Sequence, residues 1–277
     1  MIIGKPNVGK STIINKLVKT KISIVSKKPH TTQDNILGIK NLGSRHQSIY
    51  IDTPGISYKH VYNNQNKNFR NIIALFYDIQ FIFLVLDKTN WTDEDEYILK
   101  IIKKYQKPVF AIINKIDQIK TKQHLLPYIL HLSNKHMFQE IIPVSGKTGE
   151  NIYILSKTIK KELPVVLQHP FPAQLKTNMN IKKIISEIIR EKFILYLGLE
   201  LPYSIKTAVQ KIVIRKTNKS YIEAKISVTN IQHKKIVIGQ KGQKIKLCGL
   251  LARKEIEKFL KQSIYLSLRV IQVKKNL

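Results

Sequence analysis

The chain has 277 residues, which is long enough for two domains that each bury a core. It carries 48 Lys and Arg against 18 Asp and Glu, a formal net charge of +30, and its hydrophobic content of 43% predicts a folded chain. Such a charge favours a polyanionic partner, either a nucleic acid or an anionic membrane face; lysine spread over every surface by composition alone is the alternative. The single cysteine, Cys248, excludes an intrachain disulfide, and we find no signal peptide and no apolar run long enough to span a membrane.

A phosphate-binding loop is predicted at the start of the chain, where the sequence fits the pattern G-x-x-x-x-G-K-S. Glycines allow a tight turn whose backbone N–H groups face the phosphates, and the positive end of the following helix faces the same anion. Lys10 adds a point charge, and the hydroxyl of Ser11 can ligate Mg²⁺. The residues assigned to this loop are Gly4, Lys5, Pro6, Asn7, Val8, Gly9, Lys10 and Ser11.

Two further segments extend the predicted site toward a γ-phosphate. Asp52 follows a predicted strand, where a carboxylate can hold Mg²⁺ through water, and the N–H of Gly55 can sense the γ-phosphate. Thr31 and Thr32 lie between the phosphate loop and Asp52; spacing does not choose between them, and we favour Thr32 as a further Mg²⁺ ligand. The candidate metal ligands are therefore Ser11, Thr32 and Asp52, and the candidate catalytic residues are Lys10, Thr32 and Gly55.

Short apolar runs that end in polar residues predict a mostly parallel α/β sheet in the first part of the chain. The runs 49–51, 81–86, 109–113 and 141–144 lead into Asp52, Asp87, Asn114 and Ser145. Ligands of such sheets bind at the carboxyl ends of the strands, so these polar residues are expected at one edge. Helices are predicted over 92–104 and 151–163.

The segment Asn114-Lys115-Ile116-Asp117 predicts recognition of guanine. The carboxylate of Asp117 can accept hydrogen bonds from guanine N1–H and the exocyclic amine, a donor pair that adenine lacks. We expect Asn114 to brace the loop and contact the base, and Ser145-Gly146 to offer a backbone N–H to guanine O6, although a simple turn would also explain the latter pair. The nucleotide-binding residues outside the phosphate loop are Asp52, Thr53, Pro54, Gly55, Ile56, Asn114, Lys115, Ile116, Asp117, Ser145 and Gly146.

The proline-bearing segment 164–177 predicts a linker between a first domain at 1–163 and a second at 178–277. The second domain carries 22 Lys and Arg against 6 Asp and Glu. Its pattern predicts, in order, a helix, two strands, two helices and a strand. Strict alternation over 220–229 indicates one half-buried strand, and residues 264–270 repeat the pattern.

A second site is predicted where the sequence G-x-x-G separates two helical segments. In RNA-binding KH domains such a loop brings the backbone close to nucleotide phosphates, while an apolar groove beside it holds the bases. A solvated helix–turn–helix corner is the alternative explanation. The candidate RNA-binding residues are Lys235, Ile236, Ile238, Gly239, Gln240, Lys241, Gly242, Lys244 and Lys246.

Four segments resemble the Era family of GTPases: Gly4–Asn15, Trp91–Asp95, Glu187–Lys192 and Gly198–Ser204. The resemblance implies a P-loop GTPase domain followed by a smaller type II KH domain. It further implies an enzyme that hydrolyses GTP slowly with Mg²⁺, binds the 3′ end of small-subunit ribosomal RNA and assists assembly of that subunit. We also expect a cytoplasmic monomer with a peripheral contact at the inner face of the bacterial inner membrane.

Two residues of the nucleotide site and three differences from the family pattern bear on these expectations. Ile56 stands where Ras-like proteins place a water-orienting glutamine, so water must be positioned by backbone, a metal ion or a ribosomal partner. Asn7 matches an asparagine that related GTPases use to hold potassium, which makes K⁺ a second candidate cofactor. Met1–Ile3 is only a stub of a first strand, the family's extension beyond Lys275 is missing, and Gln33 replaces a basic residue.

Two rival hypotheses follow from these observations. A short first strand that loosened the phosphate loop would leave a passive RNA-binding assembly factor with little GTP turnover. The net charge of +30 would also suit a membrane-surface GTPase. No amphipathic helix with an aromatic face favours the membrane hypothesis over RNA.

Overall fold

The computed structural model describes residues 1–23, 35–57, 67–197, 205–215 and 219–273, without the side chains of 67 and 68. The described chain divides into two compact units, one ending at Asn178 and the other beginning at Met179. The predicted linker segment 164–177 therefore groups with the first unit. Each unit has its own hydrophobic core.

The first unit is a six-stranded sheet flanked by helices. The strand order is β2-β3-β1-β4-β5-β6, with β2 antiparallel to β3 and the remaining pairs parallel. This mostly parallel sheet confirms the predicted fold class. The strands are β1 Ile2–Ile3, β2 Ile36–Asn41, β3 Gln47–Asp52, β4 Ile82–Asp87, β5 Val109–Asn114 and β6 Ile141–Pro143. The helices are α1 Lys10–Val18, α2 Lys67–Leu75, α3 Asp93–Lys103, α4 Leu125–Lys135 and α5 Ile152–Glu162, with 3₁₀ turns at Ile116–Gln118 and Lys122–His124.

The short first strand lies in the middle of this sheet and pairs on both sides. Ile2 pairs with Asp52 of β3 and with Phe83 of β4. Met1 extends the pairing, because its carbonyl accepts a hydrogen bond of 2.9 Å from the Phe83 N–H. Met1, Ile2 and Ile3 are 6%, 1% and 0% exposed, so β1 is anchored by burial as well as by its hydrogen bonds. The chain therefore leaves Ile3 from a fixed point at the carboxyl edge of the sheet.

The segment after α5 runs along the hairpin formed by β2 and β3. The N–H of Ile39 donates to the carbonyl of Lys176 at 2.8 Å, and Gln47 exchanges two hydrogen bonds with the backbone of Phe171, at 2.8 and 2.9 Å. The N–H of Val166 donates to the carbonyl of Arg45 at 2.9 Å. The bond to Lys176 satisfies an N–H that the edge strand β2 would otherwise expose, and the other contacts fix the segment to the β2–β3 turn and to β3.

The second unit packs helices against a three-stranded sheet and confirms the predicted element order. Its elements are α6 Ile181–Tyr196, β7 Lys206–Val213, β8 Ser220–Val228, α7 Ile231–Ile238, α8 Gln243–Leu260 and β9 Ile264–Gln272, with a 3₁₀ turn at Gln240–Gly242. The central strand β8 is antiparallel to β7 and parallel to β9. Every second residue of β8 is buried, as its alternation predicts, and the apolar ones belong to the same core cluster as Ile185, Ile189 and Phe193 of α6.

We expect the hydrogen bonds of Gln47 to contribute measurably to stability. Gln47 is 8% exposed, and Gln47→Ala would leave both backbone groups of Phe171 without a partner. The expected loss is about 1–3 kcal/mol in the free energy of unfolding, measured by urea titration. Gln139→Ala, at an exposed glutamine, is the matched control. Equal stability of the two variants would contradict this role of Gln47.

Candidate functional site

The phosphate loop joins β1 to α1, and its glycines meet steric demands that other residues fail. A Cβ at Gly4 would lie 2.4 Å from the carbonyl oxygen of Val85. Gly9 caps α1 with a φ of 97°, and a Cβ there would lie 2.2 Å from the Asn114 side-chain nitrogen. Any residue with a Cβ at these two positions would clash, so the loop approaches Val85 and Asn114 only because both positions are glycine. Asn7 also has a positive φ, of 64°, which asparagine tolerates better than most residues.

The side chain of Lys10 folds back over the loop. Its ammonium donates to the carbonyl of Gly4 at 3.1 Å and to that of Lys5 at 2.7 Å. Burial lowers the pKa of Lys10 to about 8, and the charge of Asp52 opposes that shift. The loop carbonyls thus hold the ammonium of Lys10, the group that the sequence analysis predicts to contact the phosphates.

Ser11 and Asp52 form a pair of oxygen donors beside the loop. The Ser11 hydroxyl donates to Oδ2 of Asp52 at 2.7 Å. The other carboxylate oxygen of Asp52 is buried and has no hydrogen-bond partner within the described ranges. Burial raises the pKa of Asp52, while the Ser11 bond and the charge of Lys10 oppose the rise. A buried carboxylate with an unused oxygen beside a hydroxyl fits a hard cation such as Mg²⁺. The third predicted ligand, Thr32, lies outside the described residues.

The segment after Asp52 packs directly on the phosphate loop. A Cβ at Gly55 would lie 2.6 Å from the Cα of Pro6, and the N–H of Ile56 donates to the carbonyl of Gly4 at 3.2 Å. The buried hydroxyl of Thr53 donates to the carbonyl of Ile2 at 2.8 Å. Gly55 is therefore held against the loop by backbone contact, which suits a sensor of the γ-phosphate.

Some residues assigned to nucleotide binding have side chains that face the core. Val8, Ile56 and Ile116 are 1%, 2% and 3% exposed. Ile56 and Ile116 belong to the core cluster of the first unit. The side chains of these three residues therefore pack beneath the loops, and the residues can contact a nucleotide only through backbone atoms. The position of Ile56 also excludes its side chain from orienting water.

Asn114 joins the predicted base-binding segment to the phosphate loop. Its side-chain nitrogen donates to the carbonyl of Val8 at 2.7 Å, and its side-chain oxygen accepts from the N–H of Gly146 at 2.9 Å. Asn114 is 2% exposed. Asn114 therefore braces the phosphate loop and holds Gly146 beside it, while its contact with the base stays a prediction.

Two contacts around the base-binding segment were missed by the sequence reasoning. The Ser145 hydroxyl donates to Oδ1 of Asp117 at 2.7 Å and so orients the exposed carboxylate predicted to bind guanine. Lys115, with a φ of 64°, places its ammonium 3.1 Å from Oδ2 of Asp87. The position of Asp87 at the carboxyl end of β4 was the signal that could have identified the second contact.

The predicted RNA loop is a tight turn between α7 and α8. Gly239, Lys241 and Gly242 have φ values of 74°, 47° and 75°, so the backbone of the turn takes a conformation that favours glycine. A Cβ at Gly239 would lie 2.6 Å from the side chain of Lys244. Ile236 and Ile238 are half-buried behind the turn. The side chains of Lys235, Gln240, Lys241, Lys244 and Lys246 are exposed around it.

Gly9→Ala tests the close approach between the phosphate loop and Asn114. The added methyl would collide with the Asn114 amide, so we expect affinity for GDP, measured by fluorescence titration, to fall about a hundredfold or more. Gly43→Ala is the matched control, since Gly43 also has a positive φ, of 114°, but its Cβ would meet nothing closer than 3.8 Å. It should lose stability and keep its affinity for GDP. Equal affinities in the two variants would contradict the steric argument.

The lowered pKa of Lys10 predicts a pH dependence of nucleotide binding. Phosphate favours the charged ammonium, so above a pKa of about 8 the free protein must take up a proton when nucleotide binds. Affinity for GDP should therefore be flat below pH 8 and fall above it, by up to about tenfold per pH unit. Titrations between pH 6.5 and 9.5 measure this dependence, and Lys10→Ala reports any slope due to other groups. An identical slope in both proteins would contradict the assignment.

Comparison with known proteins follows the same division of the chain. A family profile described as 50S ribosome-binding GTPase matches residues 1–115, and a KH-domain profile matches residues 200–277. GTPase Era of Buchnera aphidicola subsp. Baizongia pistaciae is 70% identical over 277 residues, which cover all of this chain and 96% of the relative. GTPase Era of Glaesserella parasuis is 39% identical over 269 residues, covering 97% of this chain and 89% of the relative.

Two solved structures share the arrangement. Era in complex with MgGDPNP and nucleotides 1506–1542 of 16S ribosomal RNA matches with a TM-score of 0.90 and 36% identity, over 99% of this chain and 92% of that one. A single-residue variant of Aquifex aeolicus Era bound to GDP·AlF₄⁻ matches with a TM-score of 0.90 and 37% identity, over 99% and 93% of the two chains. With a P-loop domain and a KH domain in this order, the chain belongs to the Era family of GTPases.

Proposed function

We propose that this protein is a GTP-hydrolysing switch that binds the 3′ end of small-subunit ribosomal RNA and assists assembly and maturation of that subunit. The observation that carries the proposal is the presence, in one chain, of an intact phosphate cradle and an exposed G-x-x-G turn ringed by lysines. The related Era structure holds MgGDPNP and a 16S RNA segment together. In this proposal the GTP-bound protein docks on RNA, and hydrolysis releases it.

The nucleotide site supplies the groups that such a reaction needs. Lys10 places a positive charge at the phosphates, and Ser11, Asp52 and Thr32 would hold Mg²⁺, which neutralises charge on the transferring phosphoryl group. The N–H of Gly55 reports the presence of the γ-phosphate. Asp117, oriented by Ser145, selects guanine.

Intrinsic hydrolysis is proposed to be slow. The side chain of Ile56 is in the core, so water must be oriented by backbone, a metal ion or a ribosomal partner. Asn7, in the loop with a positive φ, is proposed to hold K⁺. Replacing potassium by sodium at constant ionic strength should then lower turnover, and equal turnover in the two salts would remove K⁺ from the proposal.

RNA recognition is assigned to the G-x-x-G turn. The exposed amines around it offer charge to phosphates, and the half-buried Ile236 and Ile238 offer apolar surface to bases. The passive assembly factor is not favoured as an alternative, because β1 is paired on both sides and the groups of the phosphate cradle are in contact.

A cytoplasmic location, a monomeric state and a peripheral contact with the inner face of the inner membrane complete the proposal. Their support is the family resemblance and the high positive charge. In the described part of the chain, no helix combines the length and the apolar character needed to cross a bilayer. Liposome binding after RNase treatment tests the membrane contact, and its absence would remove that contact from the proposal.

The proposed switch is tested by RNA affinity in the two nucleotide states. An RNA with the 3′ end of the small-subunit ribosomal RNA is titrated with protein loaded with GDP or with a non-hydrolysable GTP analogue. Tighter binding in the GTP-analogue state is expected, because the proposed switch docks RNA while the γ-phosphate is present. Equal affinity in the two states would contradict the switch, and RNA binding would then be the only part of the proposal that this experiment supports.

Lys241→Ala and Lys244→Ala test the RNA contact. If each amine neutralises one phosphate, each substitution should weaken RNA binding and reduce the slope of log affinity against log salt by about 0.7. Lys254→Ala, at an exposed lysine two to three turns further along α8, is the matched control. A slope reduced equally by all three substitutions would indicate a diffuse charge effect instead of a site at the turn.

A further inference from the structure

Lys5 occupies a variable position of the phosphate loop, and its side chain is tied to a helix of the same unit. Its ammonium donates to Oδ2 of Asp95 at 2.6 Å and to the hydroxyl of Thr92 at 2.8 Å. Lys5 is 8% exposed and Asp95 is fully buried. The contact joins residues 90 positions apart in sequence and fixes the loop to the start of α3.

Asp95 is itself held firmly in place. It forms a capping box with Thr92, whose N–H and hydroxyl both donate to Oδ2 of Asp95, at 2.9 and 2.8 Å. The positive end of the α3 macrodipole favours a negative charge at this position. Oδ1 of Asp95 and the hydroxyl of Tyr128 are both buried and have no hydrogen-bond partner in the described chain. Burial, followed by the charges of Asp95 and Asp87, raises the pKa of Tyr128.

The same residue that contacts Asp95 also supports the phosphate-binding lysine. The carbonyl of Lys5 accepts the hydrogen bond of 2.7 Å from the ammonium of Lys10. A shift of the Lys5 backbone would therefore move the group that holds Lys10. Gly55 contacts the next residue, Pro6, so the γ-phosphate sensor rests on the same stretch of loop.

We propose that Asp95 is a positioning residue for GTP binding and hydrolysis, which fixes the phosphate loop through its ion pair with Lys5. It acts through Lys5 and touches no phosphate. A buried ion pair adds little net stability compared with apolar residues, but removing one partner leaves an uncompensated charge, so the pair specifies the position of the loop more than it stabilises the fold. The inference rests on the proposed nucleotide site.

The test compares Asp95→Asn, Lys5→Met and the double variant with the native full-length chain. Asparagine keeps an acceptor for the cap and removes the charge. We expect each single substitution to lower kcat/KM for GTP between about tenfold and a hundredfold, and the double variant to lose no more than the worse single variant. Lys5→Arg, which keeps the charge, should lose less than Lys5→Met.

Two control variants separate positioning from structural damage. Glu94→Gln removes one negative charge from the same helical turn, and Ile98→Val perturbs the buried face of α3. If the controls shift Tm about as much as Asp95→Asn does, both should still keep kcat/KM for GTP near the native value. A loss in Asp95→Asn that the controls share, or a value within twofold of native in both single variants, would overturn the inference. Failure of the native chain to bind GDP would instead refute the proposed nucleotide site.

Discussion

The side-chain amide of Asn114 is the contact on which the nucleotide site depends most. One of its atoms holds the phosphate loop at Val8, and another holds the loop at Gly146. Because the amide is buried, both bonds form away from water, and the loss of either bond would leave a buried polar group unpaired and lower the stability of the site. The requirement extends to Gly9, whose missing Cβ makes room for the amide. Three loops from different strand ends are thereby held in one geometry.

The sheet makes this convergence possible. β1, β4, β5 and β6 run parallel, so the phosphate loop, Asp87, Asn114 and Ser145 all follow strand ends at one edge. β1 contributes only two residues, yet it is buried and paired on both sides. Burial and pairing with both neighbours therefore hold this strand in the sheet.

Sequence patterns predicted the parts of the site that depend on local spacing. The glycines of the phosphate loop, the bracing role of Asn114, the strand ends and the G-x-x-G turn were all predictable, because turn geometry and strand ends leave local signals. Contacts between segments far apart in sequence could not be predicted in this way. The pairing of Lys5 with Asp95, the burial of Ile56 and the bonding of residues 166–176 to the β2–β3 hairpin depend on the folded topology. A loop position that looks variable in a motif thus gains its role from a helix 90 residues away.

The most direct measurement is GTP turnover by the purified chain with and without RNA carrying the 3′ end of small-subunit ribosomal RNA, with Lys10→Ala as the blank. We expect turnover above the blank that rises when the RNA is added, because the phosphate cradle and the RNA turn serve one switch. Tight RNA binding with turnover no higher than the blank, with or without RNA, would contradict the proposed switch and indicate a passive RNA-binding protein.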